Sequence, residues 1–167
     1  MYARKFEERV TPAKKSSTED VVDAVIGASR ALVAIAARSL AGFEEHVSLA
    51  QYRALVVLCS RGPQRVADLS KLLDVTPSTA TRMCDRLVRK HLATRRREAG
   101  DRRRVRIAVT DAGRALVDEV TDRRRREVAR ILRELPVESR EQLIAALRSF
   151  SNAAGEVPEQ SWSPGWR

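Results

Sequence analysis

The chain has 167 residues, of which 43% are hydrophobic but only 4% aromatic, so a core must be built mainly from Leu, Val, Ile and Ala. A formal net charge of +10 and a pI near 10.7 favour an anionic partner, either nucleic acid or anionic lipid. Two cysteines and two histidines without metal-ligand spacing exclude a readable zinc site, and no apolar run approaches the ~18 residues of a membrane-spanning helix. The charged N-terminus is unlike a signal peptide, so we predict a soluble cytoplasmic protein without metal or cofactor.

The first predicted element is a long, Ala-rich helix. Residues 1–16 are polar and charged, which predicts a mobile tail. Ser17 is a good helix cap, and apolar residues then recur at helical spacing through 18–43. Because the apolar face is broad, we expect this helix to be buried against more than one neighbour.

A second helix and a short third helix follow. Ser48 and Gln51 form a capping box before a helix that should end at Arg61, because Gly62-Pro63 breaks it. A short helix over about 65–73 carries apolar residues on one face.

The turn after this short helix introduces the most clearly amphipathic segment. Asp74 can adopt a left-handed backbone at low cost, Thr76 is a good N-cap and Pro77 suits the first helical position. In the helix predicted over 77–90, the inward side chains are Ala80, Met83, Cys84, Leu87 and Val88. Those left outside are Ser78, Thr79, Thr81, Arg82, Asp85, Arg86 and Arg89. Two short helices joined by such a turn are typical of a helix-turn-helix.

Two strand-like pieces come next and carry most of the charge. They lie at about 93–97 and 104–109, and Ala99-Gly100-Asp101 supplies a hairpin turn between them, which predicts a wing. Between Thr76 and Arg106 there are eleven basic and three acidic residues, so this segment carries +8 of the net +10. A solvated basic face is the ordinary explanation of a charge run, but this run coincides with the two elements that would enter DNA grooves.

The remaining chain predicts two helices and a tail. Thr110 caps a long helix that reaches about Glu134 and has an interrupted apolar stripe. Pro136 begins a final helix, although a Ser, Thr or Asp cap would be expected there. Residues 156–167 predict a loose tail whose two Trp residues could anchor against a partner.

The segment 48–113 resembles the MarR (multiple antibiotic resistance regulator) family of winged helix-turn-helix transcription factors. "PSTATRMCDRL" resembles the family's recognition helix, and "GDRRRVRIAVTDAGR" resembles its wing. The resemblance implies a single unit over 17–155, mainly α with a small β-hairpin wing. Within it, 48–110 would be the winged helix-turn-helix, and 17–47 and 111–155 would be dimerisation helices. It further implies a bacterial homodimer that represses transcription from a near-palindromic double-stranded DNA operator, released by a small aromatic or anionic effector.

The resemblance also assigns residues. Those matching the stretch that enters the major groove are Pro77, Ser78, Thr79, Thr81, Arg82 and Arg86. Thr81 and Arg82 would reach base edges, whereas the neighbouring hydroxyls and Arg86 would contact the backbone. The wing residues are Arg96, Arg97, Asp101, Arg102, Arg103 and Arg104. In the family's Asp-x-Arg pattern, Asp101 would steady the wing while Arg103 reaches the minor groove.

The sequence is also compatible with two other functions and with a ligand pocket. The resemblance places a ligand pocket between the first, second and long helices, where Arg38, His46 and Tyr52 are the polar candidates; each of them has a structural or surface role as its alternative. A redox sensor using Cys59 or Cys84 and a non-specific architectural DNA-binding protein are the competing functions. Simple packing is the ordinary role of both cysteines. The sequence shows neither a nucleophile–base pair nor a phosphate-binding glycine loop, so it does not predict an enzyme.

Overall fold

The computed structural model describes residues 17–43, 45, 47–98, 101–158 and 162. The tail predicted at 1–16, His46, the turn residues Ala99 and Gly100, and most of the C-terminal tail lie outside the described residues. The elements in chain order are α1 (Thr18–Leu40), α2 (Leu49–Arg61), α3 (Val66–Leu72), α4 (Pro77–Arg89), β1 (Ala93–Glu98), β2 (Asp101–Val109), α5 (Asp111–Arg133) and α6 (Val137–Ala153). A mainly helical chain with one small hairpin is the fold class that the sequence predicts, and it is confirmed.

Two compact units make up the chain, and the boundary between them falls inside α1, between Ala34 and Ile35. The described part of the first unit is helical from Thr18 onward, and the backbone N–H of Asp20 donates to Ser17 Oγ at 3.1 Å. This bond confirms Ser17 as the cap. The apolar side chains of this segment were expected to be buried, but the half-exposed ones are Val21, Val22, Ile26, Leu32 and Val33. The single chain leaves this face open, so burial of the helix against more than one neighbour stays a prediction.

The core of the second unit forms around α2. α2 contacts α3, α5 and β2, and most of its apolar side chains are buried, whereas Leu49 at its start is half exposed. The largest fully buried side chains of the core include Leu55, Leu58, Leu69, Leu87, Ile107, Val117 and Val120. Burying each such side chain stabilises the fold by about 1.5–3 kcal/mol. Aliphatic packing therefore holds together residues 48–110, the winged segment.

Side-chain caps set the helix boundaries. At the start of α2, Gln51 N donates to Ser48 Oγ at 3.3 Å, and Ser48 N donates to Gln51 Oε1 at 3.0 Å, as the capping box predicts. Thr110 Oγ1 likewise accepts from Gly113 N at 3.1 Å at the start of α5. α1 ends at Leu40, three residues before the predicted end, because the turn that follows it contains a glycine with φ +85°.

At Gly113, the start of α5 lies directly against the winged segment. A Cβ added at this glycine would lie 2.1 Å from the carbonyl oxygen of Leu92 and 2.8 Å from a methyl group of Val109. No side chain fits at that distance, so α5 starts against the base of the hairpin only because residue 113 is glycine.

The hairpin is antiparallel and is joined to the α2–α3 loop through backbone hydrogen bonds. Its register pairs Ala93 with Val109 and Arg97 with Val105, and the register shifts after Arg97. β2 begins at Asp101, three residues earlier than the sequence predicts. Gln64 and Ile107 exchange two backbone hydrogen bonds, of 3.0 and 2.7 Å, which join the α2–α3 loop to β2.

The end of the chain differs from the predicted loose tail. After α6, Glu156 pairs with Arg53 of α2, and Arg61 donates to the carbonyl of Gly155 at 2.8 Å. Trp162 is half-buried against the core and donates to the carbonyl of Val157 at 3.0 Å. The described tail residues therefore pack against α2 and the core. None of the described helices is long and apolar enough to cross a membrane.

Candidate nucleic-acid interface

The turn between α3 and α4 has the geometry that its residues predict. Asp74 has φ +50°, which confirms the left-handed conformation, and Val75 N donates to the carbonyl of Ser70 at 2.9 Å to close the end of α3. Thr76 then caps α4 through a hydrogen bond from Thr79 N at 3.3 Å, with Pro77 at the first helical position. The turn thus fixes where α4 begins.

α4 separates its two faces as predicted. The inward residues Ala80, Met83, Cys84 and Leu87 are buried, and Val88 is partly buried. The outward residues Ser78, Thr81, Arg82, Arg86 and Arg89 are exposed, whereas Thr79 and Asp85 are half-buried. This helix therefore packs with one face and presents a row of hydroxyl and guanidinium groups on the other.

The hydroxyl groups at the start of α4 form a local network. Thr76 Oγ1 donates to Thr79 Oγ1 at 2.9 Å, and Arg82 Nη2 lies 3.5 Å from the same Thr79 oxygen. Thr81 Oγ1 donates back to the carbonyl of Pro77 at 2.9 Å. Arg82 therefore leans toward the N-terminal turn of α4, where the helix dipole also favours an anion.

The wing adds a second set of cations beside α4. Arg96 and Arg97 are exposed on β1, and the backbone of Asp101–Arg104 runs in β2. Arg106 does not share this outward role, because its Nη1 donates to the carbonyl of Pro63 at 3.4 Å. The Asp101–Arg103 arrangement within the wing stays a prediction.

An ion pair that the sequence analysis missed connects the wing with α4. Arg95 of β1 pairs with Asp85, the one acidic residue on α4. Both side chains are about half exposed, so the pair contributes about 0–1 kcal/mol to stability. It nevertheless compensates the charge of one wing arginine and holds β1 against α4. A lone acid among the outward arginines of α4 was the available signal.

The remaining outward arginines have no such compensation. Within the part of the chain that the structure describes, no ion pair is formed by Arg82, Arg86, Arg89, Arg96 or Arg97. Concentrated like charge repels itself in the absence of a partner, and a row of phosphates relieves that repulsion while releasing counterions. The surface formed by these five residues has the chemistry of a DNA-backbone contact.

Comparison with known proteins agrees with this chemistry. The model of the MarR family matches residues 47–105. The transcriptional repressor MdtR of Bacillus subtilis (strain 168) is 30% identical over 122 residues, which cover 73% of this chain and 79% of MdtR. This chain belongs to the MarR family. It is therefore a transcriptional regulator, since members of the family regulate transcription and are not enzymes.

Two further relatives of this MarR-family chain support the assignment. The crystal structure of RV1404 from Mycobacterium tuberculosis superposes with a TM-score of 0.79 at 40% identity, covering 87% of this chain and 99% of that one. YpoP of Bacillus subtilis (strain 168), an uncharacterised HTH-type transcriptional regulator, is 31% identical over 81 residues. That match covers 48% of this chain and 57% of YpoP.

The residues predicted for an effector pocket in this MarR-family chain contact α5. Tyr52 is buried, its hydroxyl lies 3.5 Å from Thr121 Oγ1, and the Arg124 guanidinium lies over its ring at 5.5 Å. Arg38 forms an ion pair with Glu127. His46, the third candidate, lies outside the described residues. Both described side chains thus have partners on α5, and a ligand site at this place stays a prediction.

The two cysteines are packed in the core of this MarR-family chain. Cys59 and Cys84 are 0% and 1% exposed, as packing predicts. Burial raises the pKa of the Cys59 thiol to about 12, and burial together with the nearby Asp85 carboxylate raises the pKa of Cys84. Because the thiolate is the reactive form, both sites disfavour the alternative of a thiol-based sensor.

Proposed function

We propose that this MarR-family regulator is a dimeric repressor in the bacterial cytoplasm that binds a near-palindromic operator and is released by a small aromatic or anionic ligand. The observation that carries the proposal is the uncompensated arginine surface on α4 and β1. Such a surface lies on the two elements that a winged helix-turn-helix inserts into DNA grooves.

In this proposal, α4 enters the major groove. Arg82 is exposed near the start of α4, where a guanidinium can bind guanine through two hydrogen bonds, and Thr81 is exposed beside it. Pro77, Ser78 and Thr79 would approach phosphate at the helix N-terminus, and Arg86, one turn after Arg82, would follow the backbone.

The wing would contact the adjacent minor groove. The wing residues proposed for this contact are Arg96, Arg97, Asp101, Arg102, Arg103 and Arg104. Arg103 would enter a narrow, A·T-rich groove while Asp101 holds it in position, and the other arginines would contact phosphates. The paired Arg95 would stay against α4.

The dimer is supported by apolar side chains that the single chain leaves exposed. On α6, Val137, Ile144, Leu147 and Phe150 are between 48% and 65% exposed, and α1 carries a comparable set. Leaving these groups in water is unfavourable, and a second copy of the same helices would cover both sets by symmetry. We therefore assign dimerisation to residues 17–47 and 111–155, on either side of the winged segment at 48–110. Repression is supported by the relative MdtR.

The test is selection of preferred sequences from random duplex DNA, followed by affinity measurement across salt concentrations. The proposal predicts a near-palindromic preferred sequence and a preference of at least ~10³-fold over random DNA, the lower end for specific regulators. A preference of only a few-fold would favour the architectural alternative instead. Binding of one protomer per site, measured by sedimentation, would contradict the dimeric mode.

A further inference from the structure

A cavity of about 310 Å³ lies between α2, the end of α3 and the segment that follows α6. Arg53, Ser60 and Arg61 line it from α2, and Lys71 lines it from α3. The backbone of residues 154–157 closes the other side together with the Glu156 side chain. This volume is at the lower end of the ~300–1,000 Å³ found for small-molecule sites.

The charges around the cavity do not cancel. Among the described residues that line the cavity, Glu156 is the only acid, and its two oxygens accept hydrogen bonds from the two terminal nitrogens of Arg53. Arg61 donates instead to a neutral acceptor, the carbonyl of Gly155, and Lys71 forms no ion pair in the described part of the chain. Asp68 lies in an adjoining depression beside the same two cations. Two positive charges of the lining are thus left for an external anion.

The geometry of the cavity already accepts a carboxylate. Glu156 is paired with Arg53 in the two-bond arrangement that suits guanidinium and carboxylate groups. Arg61 lies two turns further along α2, and beside it the Ser60 hydroxyl donates to the carbonyl of Val57 at 3.3 Å. The wall opposite α2 is fixed by the half-buried Trp162, whose indole N–H holds the carbonyl of Val157.

We propose that this cavity binds a small organic oxyanion, either a carboxylate or a phosphate monoester, between Arg61 and Lys71. The guanidinium supplies paired N–H donors, and the ammonium supplies a compact charge. The bound anion bridges the winged segment to the chain that follows α6. The site is separate from the pocket proposed at Arg38 and Tyr52, and its occupancy does not depend on DNA.

The test is a titration of the full, DNA-free chain followed by amide chemical shifts. The probes are sodium benzoate and phenyl phosphate, which separate the two oxyanion sources; benzamide is the neutral isostere, and sodium chloride controls for ionic strength. We expect saturable shifts at residues 60–61, 71–72 and 154–157 with one or both anions and not with benzamide. Shifts confined to residues 77–97, or equal shifts with benzamide, would overturn the proposal.

Three variants of the cavity and one control variant on α5 extend the test. Arg61→Gln and Lys71→Gln should each weaken anion binding about 10-fold, the size of one lost charge-assisted hydrogen bond, whereas Arg133→Gln on α5 should not change it. Glu156→Gln should tighten anion binding, because it removes the carboxylate that pairs with Arg53. The charge of Arg53 is then also available to attract the ligand. A site in which Glu156 only closes the cavity would bind more weakly in that variant. Unchanged affinity in Arg61→Gln would remove the site altogether. Because DNA is absent from these titrations, their failure leaves the proposed operator binding intact.

Discussion

The winged segment buries most of its apolar side chains, whereas the helices at the two ends of the chain leave many of theirs exposed. In the winged segment, Leu58 and Leu87 are 1% and 0% exposed, so the chain covers its own apolar surface there. On α6, Ile144 and Phe150 are 49% and 55% exposed although they recur at equally regular helical spacing. Periodicity therefore shows which face of a helix is apolar, but it does not show whether the same chain or another covers that face.

The largest expected effect comes from placing a charge on the exposed apolar face of α6. Phe150→Glu should abolish the dimer at micromolar concentrations, because burying one Phe side chain is worth about 1.5–3 kcal/mol and a symmetric interface loses it twice. Sedimentation measures the dimer, and fluorescence anisotropy should show operator affinity falling with it. Leu49→Glu is the control, because Leu49 is also half exposed but lies in the winged segment. An unchanged dimer in Phe150→Glu would show that α6 is not part of the interface.

A single methyl group tests the packing of the winged segment. Gly113→Ala should lower the free energy of unfolding by about 3 kcal/mol, the upper end for overpacking, because the new Cβ meets the backbone carbonyl of Leu92. Gly27→Ala is the matched control: nothing lies within 4 Å of a Cβ there, so the helix should gain about 0.5–1 kcal/mol. Chemical denaturation measures both. Equal effects of the two substitutions would contradict the close approach of α5.

Arg82 is the arginine of α4 that we expect to recognise bases. Arg82→Ala should cost about 1–3 kcal/mol of operator affinity and relax the preference at one or two base positions. Competition against operators changed at single positions measures both quantities. Arg89→Ala, two turns further along the same face of α4, should weaken binding evenly across all operator sequences. A loss in Arg82→Ala that is even across all sequences would make Arg82 a phosphate contact.

The smallest expected effect concerns the link between α4 and the wing. Asp85→Asn removes the partner of Arg95, and stability should change by less than about 1 kcal/mol because the pair is half exposed. The released arginine should raise affinity for random DNA a few-fold and increase the salt slope of binding by about 1. Binding isotherms at several salt concentrations measure this. Arg95→Gln should not show the gain, and a gain there would point to a different cause.

Local signals predicted the helix-turn-helix well. Ser48 with Gln51, Thr76 before Pro77, and Thr110 mark helix starts through bonds within three residues, so their meaning does not depend on distant chain. The conformation of Asp74 was predicted for the same reason. The same local signals gave the order of the elements, and the family resemblance then implied which of them form the winged helix-turn-helix.

Contacts between distant segments were not predictable in the same way. The Arg95–Asp85 pair, the Gln64–Ile107 bridge and the docking of Trp162 all join elements whose relative position depends on the finished fold. His91 adopts φ +57° after α4, and a histidine carries no strong signal for that conformation. The start of β2 at Asp101 was missed because a row of arginines lacks the alternation that marks a strand.

The burial of both native thiols has a practical consequence. With Cys59 and Cys84 fully covered and their pKa values raised, maleimide and methanethiosulfonate reagents at neutral pH should leave the wild-type chain unmodified. A cysteine introduced at an exposed polar position of α6 such as Ser149, outside the apolar set proposed for the dimer interface, would then be the only labelled site, with no need to remove the natural ones. Spin labels or fluorophores placed this way on α6 and on the wing could follow the spacing between two copies as DNA or an anion is added.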